Sequence, residues 1–122
     1  MPSLEDLTMR AKSSTEAEAR LRRWLEDGGQ PPPHLIRIMR EWMGLTSAQF
    51  ATRLGFVGAN ADRTVQAFES GMRDGKEWFP SSSVEMTMRA LTACAMAHKL
   101  IGRGHGRDAQ HILMLAIPPA LR

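Results

Sequence analysis

The sequence predicts an all-α fold: a small helical bundle with an N-terminal helix and a C-terminal extension. Apolar residues recur at the three- and four-residue spacing of helix faces, as in Ile36, Met39 and Met43. Hydroxyl residues stand three positions before Gln or Glu where these stripes begin, as in Thr46 with Gln49 and Ser82 with Glu85. Glycines follow the stripes where helices are expected to stop, at Gly28, Gly44, Gly55 and Gly71.

Taken in order, residues 1–12 show no clear period and are expected to fray. Residues 14–27 (STEAEARLRRWLED) consist of strong helix formers, with Ser14 or Thr15 as cap and acidic residues in the first turn. Leu21, Trp24 and Leu25 give this helix a narrow apolar stripe that needs a partner surface. The GGQPPP segment at 28–33 is a hinge, since successive prolines cannot continue a helix. A helix over 34–43 follows, then a short one over 47–54 with Phe50, Ala51 and Leu54 inward. A third spans 61–70, with Val65 and Phe68 inward and Gly71 as terminator. Residues 71–80 read as a charged, Gly-containing loop.

The Ser82–Glu85 box opens a longer helix to about Leu100, with Val84, Met88, Leu91 and Ala95 on one face. Cys94, in ALTACAMA, reads as a small core residue. The apolar run at 112–117, closed by Pro118 and Pro119, does not distinguish helix from strand. The expected organisation is an N-terminal helix and hinge over 1–33, a central domain over 34–103 and an extension over 104–122.

At 122 residues, 43% hydrophobic and 24% charged, the chain suits one small soluble domain. No stretch reaches the roughly 20 apolar residues of a bilayer span, and no secretory signal is expected after Glu5 and Asp6. A single cysteine excludes an internal disulfide, which suits a cytoplasmic protein. The net charge of +3 and pI near 9.8 are compatible with nucleic acid.

Catalysis finds no support: there is no Gly-x-Ser-x-Gly, no phosphate loop and no carboxylate pair in an apolar frame. No cofactor is expected. Cys94 and His98 share a helical spacing, but two ligands do not close a zinc site, so no metal is expected.

Function is carried by residues 40–71. Ile36, Met39, Arg40, Met43-Gly44-Leu45-Thr46, Phe50-Ala51, Leu54-Gly55, Thr64-Val65 and Phe68-Glu69-x-Gly71 resemble the Cro/repressor-like (lambda-repressor-type, XRE-type) helix-turn-helix family. The resemblance covers about 35–100 and is firmest over 36–71. It implies a DNA-binding domain in which Arg40 pairs with Glu69 to clamp the first helix to the end of the third. A two-helix corner of this kind exposes the N-terminal half of the third helix to the major groove. Arg63 there suits guanine, Gln66 or Asn60 adenine, and Asp62 cytosine. The free amides near Ser47 suit a phosphate, with Arg53, Arg73 and Lys76 as further backbone contacts.

Two features depart from the family. Residues 56–60 (FVGAN) lengthen the turn before the third helix by about four residues, which either tilts that helix or adds a groove-contacting finger. Ser47 stands where the family often places glutamine.

The expected function is a sequence-specific transcriptional regulator, a repressor, acting on double-stranded DNA as a homodimer. Its dimer surface would come from the Leu21/Trp24/Leu25 stripe or from 112–117. The alternative is an antitoxin or anti-activator whose main partner is another protein.

Overall fold

The computed structural model describes residues 4–122, with side chains from residue 15 onward. The fold is all-α. Its helices are α1 (Leu4–Asp27), α2 (Pro33–Trp42), α3 (Ser47–Arg53), α4 (Ala61–Ser70), α5 (Ser82–Gly102) and α6 (Gly106–Met114). A 3-10 turn at Pro119–Leu121 closes the chain. The strands β1 (Met72–Arg73) and β2 (Lys76–Glu77) form a minimal antiparallel hairpin, with Met72 opposite Glu77 and Arg73 opposite Lys76.

Several local expectations are corrected. Of the segment expected to fray, residues 1–3 lie outside the described residues, but from Leu4 onward the chain is helical. Ser14 and Thr15 therefore lie inside α1 and not at its start. The apolar stripe begins only at Leu21, so periodicity gave no sign of the earlier turns.

The cap of α5 is Ser81, whose hydroxyl accepts from the Val84 amide, not Ser82 with Glu85. The buried face of α5 is also rotated by about one residue, to Met88, Arg89, Thr92, Ala93, Met96, Ala97 and Leu100. That rotation turns Cys94 outward, where it is exposed.

The loop expected at 71–80 contains the hairpin. Asp74 and Gly75 both take positive φ, 52° and 77°, which is the backbone of a type I′ turn. The 112–117 run is divided: α6 ends at Met114 and the chain then turns toward Pro118.

One core joins all six helices. Leu21, Trp24 and Leu25 of α1 and Ile112 of α6 are buried with Ile36, Met39, Phe50, Val65, Phe68 and Met88. Of the two surfaces expected to form a dimer, the Leu21/Trp24/Leu25 stripe is thus consumed within the protomer, because α1 packs on α2 and α5. The 112–117 run is split, with Ile112 and Leu115 buried and Leu113, Met114 and Ile117 exposed. Met39, Met88 and Met96 fill the irregular spaces between helices, a role suited to an unbranched thioether.

Charged pairs fasten the outer helices. Arg22 on α1 meets Asp108 on α6 in a two-pronged contact of 2.8 and 3.1 Å, and Arg103 reaches Glu18 at 3.1 Å. The hydrogen bonds from Arg22 hold the Asp108 carboxyl below its ordinary pKa. A carboxyl with a depressed folded pKa contributes stability above the unfolded value, about 3.9, and loses it as pH falls through the folded value. Asp108→Asn should therefore lower the thermal midpoint at pH 6. The two proteins' midpoints should converge as pH is lowered toward 2, measured by thermal circular dichroism.

Candidate nucleic-acid interface

The sequence around α3 and α4 dictates their ends. Thr46 Oγ1 accepts from the Gln49 amide at 3.1 Å, and Gln49 Oε1 accepts from the Thr46 amide at 2.9 Å. This reciprocal box starts α3 sharply after Leu45. Gly71 ends α4 with φ 73°, and a Cβ there would lie 2.8 Å from Pro33 Cγ. Glycine is thus required twice, for its backbone region and for the approach of α2.

Arg40 and Glu69 fix α4 on α2. Arg40 Nε lies 2.7 Å from Glu69 Oε1, while its Nη1 donates to the Leu45 carbonyl at 3.1 Å. The same guanidinium therefore ties α2, the turn before α3 and the end of α4. Phe68 adds a second anchor, lying 5.9 Å from the Phe56 ring and stacked on Trp78 at 4.5 Å.

With Val65 and Phe68 buried, Arg63 and Gln66 are left exposed on the opposite side of α4. Asn60 is the residue before the helix and is also exposed. Its side chain makes no capping bond, so its amide remains available at the helix start. Asp62 is only half-buried and faces a cleft of ≈ 480 Å³ shared with Ala48 and Thr52 of α3. Gln66 and Ser47 line a second cleft of ≈ 440 Å³ together with Arg37, Arg40 and Glu69. The structure thus brings Asn60, Arg63 and Gln66 to one end and one side of α4, with Ser47 beside Gln66.

Arg53, Arg73 and Lys76 are placed apart from that group. Arg53 ends α3 and is exposed. Arg73 and Lys76 sit on the hairpin beyond the C-terminal end of α4, about 15 Å of helix away from Asn60. Arg73 rests on the indole face of Trp78, 4.6 Å from its centroid, a cation–π contact that orients the guanidinium without neutralising it.

Protein-family models, curated proteins and solved structures gave no match to this chain.

One residue outside the expected contacts belongs to this surface, and the expected finger at 56–60 exposes another. Arg37 lines the Ser47–Gln66 cleft, and its hydrogen bond to Glu41 raises its pKa. Its position one turn before Arg40 on α2 was the available signal. Val57, at the tip of the long turn, is almost fully exposed.

Among the described residues, no group of three or more His, Cys, Asp or Glu is placed to hold a metal ion. No helix there is long and apolar enough to cross a membrane.

Proposed function

We propose that this chain is a cytoplasmic, sequence-specific DNA-binding transcriptional regulator of the Cro/repressor-like helix-turn-helix type, acting as a repressor. One observation carries the reading: α4 is pinned to the core by Val65 and Phe68 and by the Arg40–Glu69 pair while Asn60, Arg63 and Gln66 project from its free side. The turn between α3 and α4 makes the corner, and α4 is the reading helix. Arg63 recognises guanine and Gln66 or Asn60 adenine, with Asp62 reaching cytosine from the edge of its cleft. Ser47, Arg37, Arg53, Arg73 and Lys76 contact phosphates and set affinity and register.

One helix reads few bases, so the protein acts as a homodimer on an inverted repeat, with its reading helices about 34 Å apart. Leu113, Met114 and Ile117 of the 112–117 run, which remain exposed, supply the candidate dimer surface together with Ile101. Light scattering during size exclusion tests the dimer.

Selection of duplexes from a random pool by the purified protein tests the function. An enriched sequence supports it. The absence of any enriched sequence at moderate salt, with a stable protein complex recovered on pull-down, would favour the protein-partner reading.

On a selected site, Arg63→Ala should relax the preference at one position, a loss of about 1–3 kcal/mol of discrimination. Lys76→Ala should weaken all sequences alike and reduce the slope of log affinity against log salt by about 1. Identical behaviour of the two variants on every site would remove α4 from the role of reader.

A further inference from the structure

We propose that Val57 is a further base-contacting residue, recognising the 5-methyl group of a thymine next to the bases read by α4. This rests on the DNA-reading assignment above and adds to it a recognition element that the tight family turn lacks.

Val57 is 92% exposed, an unusual position for a β-branched apolar side chain. It is held there by a built turn. On one side the Phe56 amide donates to the Ala51 carbonyl at 2.9 Å, and the Phe56 ring packs on Phe68. On the other side the Ala61 amide donates to the Gly58 carbonyl at 3.3 Å. Both neighbours of Val57 are fastened, so its side chain is presented outward from a fixed frame.

The location selects the ligand. Val57 stands three residues before Asn60, within about 10 Å along the chain of the N-terminal end of α4. A reading helix places that end against base edges in the major groove, so the tip of the turn enters the same groove. The only apolar group that a standard base displays there is the thymine methyl. The chemistry of the turn favours a base over the phosphate backbone as its target. Residues 56–59 carry no cation, and the charged residue lining the cleft behind the turn is Asp62, whose carboxylate repels phosphate.

The test uses the full chain and the duplex it selects, with each thymine replaced in turn by deoxyuridine, which lacks only the methyl group. Native protein should lose about fourfold in affinity at one thymine, the value of burying one methyl group. Val57→Ser removes both methyls from a side chain that lies outside the core. It should bind the thymine and deoxyuridine duplexes equally while keeping the preferences set by Arg63 and Gln66. An enriched site with no methyl-sensitive thymine, or one whose methyl sensitivity survives in Val57→Ser, overturns the assignment of Val57 and leaves α4 as reader. Failure to enrich any sequence overturns both readings together.

Discussion

Replacing Arg89 with alanine should destabilise the protein by about 4 kcal/mol, a large share of the total for a domain of this size. Arg89 is 2% exposed, and among the described residues no carboxylate forms an ion pair with it. Burial lowers its pKa, and Glu85 one turn earlier opposes the shift. Arginine nevertheless remains a cation at this depth, because guanidinium is too strong a base to give up its proton in a protein. An unpaired buried cation ordinarily costs several kcal/mol, which would make its removal favourable. Here the compensation comes from backbone.

Nη1 of Arg89 donates to the Leu25 carbonyl at 2.9 Å and to the Leu115 carbonyl at 3.2 Å. Leu25 lies in the last turn of α1, and Leu115 is the residue that closes α6. Each helix C-terminus carries roughly half a negative charge, so two of them approximate one counter-ion. The Trp24 ring, 4.8 Å from the guanidinium carbon, contributes its negative face.

Three variants separate packing from charge in denaturant titrations. Arg89→Ala loses volume and both bonds. Arg89→Met keeps most of the volume and should still lose about 2 kcal/mol, because the Leu115 carbonyl is left buried without a partner. Arg89→Lys should fall between native and Met. A methionine variant as stable as native protein would show that the two helix ends do not hold the charge.

Arg89 also shows why part of this fold was hidden in the sequence. Its carbonyl partners lie 64 and 26 residues away. An arginine within a helix, read locally, belongs to the solvent face, and only the arrival of α1 and α6 converts it into a buried link. The rotation of α5 has the same origin: in TACAMA, either of two neighbouring faces offers small residues, and packing against α6 decides between them.

Local features were readable. The Thr46–Gln49 box needs only four residues, and α4 was bounded correctly at Ala61 and Ser70 because Phe68 and Gly71 sit at fixed offsets. The hairpin had a local signal too, in Asp74-Gly75, but two-residue strands carry no alternation that would mark them. In the candidate interface, the outward positions of Arg63 and Gln66 follow from Val65 and Phe68 by helical geometry alone. The half-burial of Asp62 does not follow, because it depends on how closely α3 approaches α4 across the long turn.

Arg40→Ala should destabilise by about 3 kcal/mol, since it removes the cation paired with the Glu69 carboxylate in a nearly closed contact. The side chains of Arg40 and Glu69 are 16% and 10% exposed, so solvent screens this pair far less than the exposed Arg37–Glu41 pair at the surface of α2. Glu69→Ala should cost less, because Arg40 keeps its bond to the Leu45 carbonyl. The double replacement Arg40→Met with Glu69→Leu substitutes apolar contact for the pair and should recover stability to within about 1 kcal/mol of native.

On the proposed DNA-reading function, base preference should not recover with stability in that double variant. The pair fixes the angle of α4 by direction as well as by distance, through a short Nε–Oε1 bond and the second bond to the α2–α3 turn. Apolar contact has no such direction. A protein restored in stability but broadened in the sequences it selects would assign the pair to the orientation of α4. Native selectivity in the double variant would assign it to stability alone.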